Sequence, residues 1–441
     1  MAAGTAPPSG TRDFLPEDVR RREYVIGIIK RVYEGYGYEP LETPAFENLE
    51  TLLGKYGDEG NKLIFKILRR GEHEATGQAD LALRYDLTVP LARVVAHHQA
   101  KLPRLFKRYQ IQPVWRADRP AKGRFREFYQ CDVDALGSPS PLVEAELCAA
   151  ISDAMVKLGF SDFTIRLNHR QLLTAVLNSV GIAEELHGSA LVAVDKLDKI
   201  GPEGVGVEMA SRGIAAGAAA SLLARFKQTA EGDTTPFQAL DPHGTAAYAN
   251  LASILALADG TSARGRIRLD ASLARGLSYY TGAIMEVNVP DLAGSLGGGG
   301  RYDNLVGMFS GQQIPACGFS LGLERILVVM TDRGMFPPSL ATTPADVMVA
   351  TFDQSGAPHA VRLAGGLRAA GLRVLVYPDP DKIGKQIKYA DGRGIPFVAI
   401  LGDDELKAGT VTVKDLKAQA QQTYSQADAG AAILEALKRR G

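Results

Sequence analysis

Residues 101–126 hold nine lysines and arginines against one acid, Asp118. Such a density suits a polyphosphate or a nucleic acid, because guanidinium forks meet phosphate oxygens in pairs. It also fits a solvated strand edge, which Lys and Arg protect from unwanted pairing. The arrangement favours the first reading. Tyr109, Ile111, Pro113 and Trp115 alternate, as do Phe128, Gln130, Asp132 and Asp134. That pattern predicts two strands joined by a polar loop over residues 118–124. Arg116 and Asp118, two apart, then point to one face. Arg124 and Phe128 follow the loop, with Gln130 and Asp134 at the same parity. One strand face would carry a cation, a flat aromatic ring, an amide and a carboxylate. Those parts clamp phosphates, stack a purine and hold an ammonium group.

Three further clusters have chemical content, and each keeps a plain structural alternative. Residues 274–282, ARGLSYYTG, place Arg275 beside Tyr279 and Tyr280, a fixed cation with two phenol donors. A bulged strand with half-buried tyrosines fits equally well. Residues 317–325, CGFSLGLER, alternate small and apolar residues before Arg325 opens a helix. Tight strand–helix packing is the alternative. Residues 84–90, RYDLTVP, offer Asp86, Leu87 and Thr88, where Asp86 and Thr88 also read as a helix N-cap pair.

The elements that must carry these residues follow from periodicity. A helix is predicted from Glu17 to about Tyr36, another within Arg84 to about Ala96, opening after the Asp-Leu-Thr triplet, and a third over residues 141–158. Residues 171–260 are rich in Ala and Leu and read as a helical insertion. Strand chemistry resumes over residues 266–289. Residues 296–302, LGGGGRY, read as a flexible turn, and residues 316–329 as a strand running into a helix. Residues 336–344 form a Pro- and Thr-bearing linker. Beyond it, apolar strands at 347–352, 373–377 and 397–401 alternate with helices, an α/β pattern. The expected division is therefore 1–335, with its insertion, and 345–441.

What is missing narrows the function. There is no P-loop and no dinucleotide fingerprint. The seven histidines do not join cysteines at metal-ligand spacings, so no protein metal site is expected. Cys131, Cys148 and Cys317 are scattered and odd in number, as in reduced intracellular chains. No stretch approaches a membrane span, and the first 18 residues have no apolar core of a signal peptide. Lys+Arg and Asp+Glu balance at 50 each among 441 residues, which excludes a globally basic nucleic-acid binder but not a local footprint.

Taken together, these segments resemble the class II aminoacyl-tRNA synthetases, and among them the histidyl-tRNA synthetase family. Residues 38–46, YEPLETPAF, look like motif 1, with Pro44 at its characteristic proline. Residues 114–118 and 124–134, VWRAD and RFREFYQCDVD, look like motif 2. Residues 318–325, GFSLGLER, look like motif 3. Residues 274–282 and 296–303 look like two signatures particular to the histidine enzymes. One departure stands out: Ser278 where the family has Asp. Motif 2 carries Asp118 where the class often has Glu.

The resemblance implies an α+β catalytic domain built on an antiparallel sheet flanked by helices, a helical insertion, and a C-terminal α/β anticodon-binding domain. It implies a homodimer in the cytoplasm, with tRNA(His), L-histidine and ATP as partners and Mg²⁺ on the ATP phosphates. Arg116 would bridge the substrate carboxylate and the α-phosphate, and Arg275 would add positive charge there; these two are the catalytic pair. Arg124 and Arg325 would hold the outer phosphates and Phe128 would stack on adenine. Asp86, Leu87, Thr88, Gln130 and Asp134 would surround the amino group of histidine, with Tyr279 and Tyr280 shaping the pocket. The implied reaction is adenylation of histidine followed by transfer to the tRNA 3′ end. The alternative is a catalytically silent paralogue that senses histidine or regulates histidine biosynthesis.

Overall fold

The structure is a computed structural model that describes residues 4–71, 76–237, 240–274, 279–338, 340 and 343–439. It divides into two compact units, Met1–Leu15 with Arg21–Met335, and Pro16–Arg20 with Phe336–Gly441.

Among the described residues, the first unit is built on eleven strands in two sheets. They are β1 (Glu39–Pro40), β2 (Phe46–Asn48), β3 (Lys66–Leu68), β4 (Ala79–Leu83), β5 (Phe106–Trp115), β6 (Glu127–Leu136), β7 (Thr164–His169), β8 (Ile267–Leu269), β9 (Ala283–Asn288), β10 (Gly297–Arg301) and β11 (Ala316–Gly322). The large sheet has the order β1-β5-β6-β11-β10-β9-β7-β8, and β2-β4-β3 form a small one. From β5 to β7 every pairing is antiparallel; only the edge strands β1 and β8 join parallel. The helix Leu142–Lys157 buries Leu147, Cys148, Ile151 and Met155. Helix Leu323–Asp332 follows β11 without a loop.

Among the described residues of 170–258, five α-helices run from Arg170–Ser179 to Pro242–Ala258, joined by turns and short 3-10 pieces. Those two helices pack on each other and on β7. The ends of this segment therefore belong to the layer that packs on the large sheet, and the composition shift did not show that. Leu197–Ser211 bends at Gly201, just before Pro202.

Residues 297–301 are not the flexible turn that four glycines suggest. They form β10, buried between β9 and β11. The glycines answer a packing demand: a Cβ on Gly299 would lie 2.6 Å from Phe319 Cα. A side chain on that face cannot be accommodated without moving the neighbouring backbone. The helix expected within residues 84–96, after the Asp-Leu-Thr triplet, spans Thr88–His98. Arg84 is 1% exposed, and its guanidinium donates to Thr43 O, Pro44 O and Pro113 O at 2.6–3.0 Å. It thus fastens the segment around Pro44 to β5. Pairing satisfies a cation that burial would otherwise penalise heavily.

The second unit is a five-stranded sheet in the order β13-β12-β14-β15-β16. Its strands are β12 (Val347–Thr351), β13 (Val374–Val376), β14 (Phe397–Leu401), β15 (Thr410–Asp415) and β16 (Ala420–Ser425). β12, β13 and β14 are parallel and joined by the helices Ala357–Ala369 and Ile383–Gly392. Val347 and Val349 enter one core with Leu363 and Phe397, while Met348 and Ala350 enter another with Val398 and Ile395. A strand buried on both faces has no polar side to display, which is why it reads as an unbroken apolar run. β15 and β16 escaped the sequence reading because β16 is largely exposed and polar, AQQTYS.

Candidate active site

Strands β5, β6 and β11 align three polar rows into one floor. Across the β5–β6 ladder, Arg108 faces Asp134, Gln110 faces Asp132 and Gln112 faces Gln130. Across β6–β11, Asp134, Asp132 and Gln130 meet Gly318, Ser320 and Gly322. Above this floor lies a cavity of about 200 Å³. Asp86, Thr88, Arg116, Phe128, Gln130, Asp134, Tyr279, Tyr280 and Arg325 all line it. A second lobe of about 250 Å³ shares Arg116, Phe128 and Arg325 and adds Asp118 and Arg124.

The two ends differ in charge. At one end, Asp86 accepts from Tyr56 Oη and Val89 N, each at 3.0 Å, and from Tyr279 Oη at 3.4 Å. Asp86 thus accepts from the first turn of the helix, although the N-cap position itself is Leu87 and Thr88 already lies in the helix, and the same carboxylate also faces the cavity. Burial raises its pKa. Asp134 accepts from Tyr302 Oη, and Arg108 Nη2 lies 2.8 Å from its Oδ2 without hydrogen-bond alignment. Burial raises Asp134, against the pull of Arg108. Asp132 is pushed up to about 7 by burial, which Arg108 opposes and Asp134 reinforces. Gln130 Nε2 donates to Ser320 Oγ at 2.9 Å, and its Oε1 is buried without a hydrogen-bond partner among the described residues. An acceptor left open among three carboxyls is an address for a cationic donor.

The other end is cationic. Arg116 N donates to Arg126 O at 2.9 Å, closing the hairpin just beyond β5. Its Nε donates to Tyr85 O at 3.0 Å, and the guanidinium lies 4.3 Å from the Tyr85 ring and 5.1 Å from the Phe128 ring. Arg325 Nη1 donates to Ser295 O. Arg124 Nη2 donates to Asp118 Oδ1 at 2.8 Å. Because β5 ends at Trp115, strand parity does not align Arg116 with Asp118; the turn of the loop brings Asp118 to the second lobe.

Of the residues singled out from sequence, Leu87 is fully buried and does not line the cavity; its carbonyl accepts from Arg108 at 3.3 Å. Thr88 lines it from the first turn of its helix. Tyr279 and Tyr280 are buried with ring centroids 5.0 Å apart, and burial raises Tyr279 well above its usual value. Arg275 and Ser278 lie outside the described residues. Sequence reasoning passed over Asp132, Arg108, Tyr302 and Ser320. Asp132 shares the parity of Gln130 and Asp134 and was findable on that ground. Tyr56, which holds Asp86, has no such signal.

Comparison with known proteins gives a consistent picture. Residues 10–326 match the family model described as histidyl-tRNA synthetase, and 346–436 match the anticodon binding domain. The chain is 42% identical to the histidine–tRNA ligase of Christiangramia forsetii over 96% of its length and 97% of that protein. It is 43% identical to the corresponding ligase of Gloeobacter violaceus, covering 97% of this chain and 98% of that one. The solved histidyl-tRNA synthetase of Nostoc sp. PCC 7120 superposes with a TM-score of 0.80 at 32% identity, over 99% of this chain and 100% of that one.

Proposed function

The chain belongs to the histidyl-tRNA synthetase family and, as such, ligates histidine to tRNA; we propose that the two-lobed pocket of its first unit carries the chemistry. The observation that supports this most is the polarity of the pocket: carboxyls and the open Gln130 Oε1 at one end, Arg116 and Arg325 at the other. A zwitterionic amino acid facing a nucleotide needs that order.

In this reading Asp86, Thr88, Gln130 and Asp134 hold the ammonium group of histidine, with Tyr279 and Tyr280 shaping the pocket and contacting the imidazole. Arg116 sits where the lobes meet and contacts both the carboxylate of histidine and the α-phosphate of ATP. A carboxylate oxygen attacks the α-phosphorus, the bond to pyrophosphate breaks, and histidyl-adenylate forms. Two anions must approach, so fixed guanidinium groups lower the barrier more than any protein nucleophile would. No general base is needed, because the attacking carboxylate is already ionised. Arg275 adds cationic charge at the same phosphate. Phe128 stacks on adenine, and Arg124 and Arg325 take the outer phosphates. In the second step the terminal ribose hydroxyl of tRNA(His) attacks the adenylate carbonyl and AMP leaves.

Among the described residues no three His, Cys, Asp or Glu side chains gather to hold a metal ion. Asp118 and Glu324, the acids of the outer lobe, are engaged by Arg124 and by Arg22. Mg²⁺ would be held chiefly by the ATP phosphates, where it would offset their charge.

We take residues 1–335 as the catalytic domain, 336–344 as a linker and 345–441 as the anticodon-binding domain, where single-stranded bases are read by stacking and edge contacts. A homodimer is supported by apolar side chains exposed on the small sheet, Phe46 at 51% and Leu68 at 54%. Cytoplasmic location is supported by three buried cysteines without disulfides. Among the described residues no helix is long and apolar enough to cross a membrane. A silent histidine-sensing paralogue would need the acidic end alone and leaves Arg116, Arg124 and Arg325 without work.

The deciding experiment is ATP–pyrophosphate exchange with each of the twenty amino acids in turn, without tRNA. Exchange with histidine alone is expected. Exchange with another amino acid would overturn the pocket assignment, and histidine binding without exchange would favour the sensor.

A further inference from the structure

The loop between β5 and β6 carries Arg124, and the ion pairs of its side chains are weak. Lys122 to Asp332, 2.9 Å, is an exposed pair, and Arg124 to Asp118 is half exposed. Exposed ion pairs hold a loop poorly. A firmer support comes from the N-terminal arm, a segment the pocket chemistry does not use.

Thr11 N and Oγ1 both donate to Pro8 O, at 3.0 and 2.7 Å, making a tight turn. Gly10 in that turn has φ +84°, and a Cβ on it would lie 2.7 Å from Arg126 Cγ. A bare glycine therefore lets the loop reach the arm: Arg126 N donates to Gly10 O at 2.8 Å, and Arg126 Nη1 to Ser9 O at 3.3 Å. Arg126 Nε in turn donates to Asp118 O at 3.0 Å. Two residues along the arm, the Arg12 guanidinium lies 3.4 Å from the Phe125 ring centroid and 3.9 Å from Glu324 Oε1. Glu324 is buried and also accepts from Arg22 at 2.8 Å and from Tyr129 N at 2.9 Å. Phe125 and Glu324 both line the outer lobe beside Arg124 and Arg325.

We propose that Arg12 is a positioning residue for the nucleotide half of the reaction: clamped between Phe125 and Glu324, it fixes the loop so that Arg124 faces ATP. It touches no substrate. The inference rests on the outer lobe being the nucleotide end.

The test is Arg12→Ala, Arg12→Lys and Gly10→Ala in the full chain, read by KM for ATP and for histidine in pyrophosphate exchange, with histidine affinity measured separately without ATP. Arg12→Ala is expected to raise KM for ATP by roughly five- to twenty-fold, the range of a partly shielded cation–π contact. KM for histidine and its affinity should stay within about two-fold, because the acidic end is untouched by the arm. Lysine should restore most of the loss, since an ammonium also sits over a ring. Gly10→Ala should give the same ATP-selective defect. An unchanged KM for ATP, or an equal rise for both substrates, overturns the proposal. Absence of histidine-dependent exchange in the unaltered chain overturns the reading of the pocket first, and the arm's role with it.

Discussion

Arg116 stands where the two lobes meet, and its forked head is held by Tyr85 O and by the rings of Tyr85 and Phe128. Arg116→Ala is expected to slow histidine-dependent exchange by about 10²- to 10³-fold, the loss seen when one preorganised donor to a developing charge is removed. Arg116→Lys should recover little, because a point charge cannot span two anions as a fork does. Rates within ten-fold of the parent would remove Arg116 from the reaction centre. Asp132 supports a second prediction. Burial pushes it up to about 7 despite Arg108, while an unfolded aspartate titrates near 3.9. Between those values the folded chain binds the extra proton, so this group's contribution to stability falls as pH rises from about 4 through about 7. Asp132→Asn removes that loss. The melting midpoint of the variant relative to the parent should therefore increase as pH rises from about 4 through about 7. A difference that stays flat with pH would show that Asp132 is not titrating there.

At the scale of elements, the pocket depends on how closely strands approach. β10 is the clearest case: Gly299 sits on the cavity wall, with Phe319 Cα where a side chain would go. Gly299→Ala should cost about 1–3 kcal/mol in unfolding free energy, the usual range for overpacking. Because the displaced backbone is the wall, histidine binding should weaken as well. Denaturant melts alongside calorimetric titration would separate the two effects, and unchanged stability would mean that β10 and β11 can part freely. The β5–β6 hairpin shows the opposite regime. Its strands are firmly laddered over ten residues each, whereas the intervening loop relies on partners from distant parts of the chain.

For the whole molecule, the division into two units has a functional consequence. The second unit has apolar cores on both faces of its sheet, built from its own strands and helices. Its charge is nearly balanced, 13 Lys+Arg against 11 Asp+Glu over residues 345–441. Long-range attraction for RNA is accordingly small, and any recognition of RNA there would have to come from local contacts. A fragment ending at residue 335 should retain histidine-dependent exchange within about ten-fold, since no pocket residue lies beyond Arg325. Its aminoacylation of tRNA should fall by about 10²-fold or more, because each lost decade is only about 1.4 kcal/mol of binding. Equal aminoacylation by fragment and full chain would show that the second unit does not contribute to tRNA capture.

Several features followed from the chain alone. The alternation around residues 109–134 specified two long strands and placed Gln130 and Asp134 on one face, because side chains alternate with a period of two. The apolar runs after residue 345 specified buried parallel strands, and the ordered motifs pointed to the family. Proximity across the chain was not legible. Nothing local says that Arg108 will meet Asp134, that Tyr56 will hold Asp86, or that Arg12 will sit on Phe125. The glycine run at 297–300 even pointed the wrong way. Flexibility in a free peptide and close packing in a central strand both call for the absence of a side chain. Only the sheet order, which brings β9 and β11 against β10, selects between them. Residue types and spacing determined which groups were available; the long-range strand pairing determined which of them share a cavity, because burial and charge contact depend on distances that sequence separation does not encode.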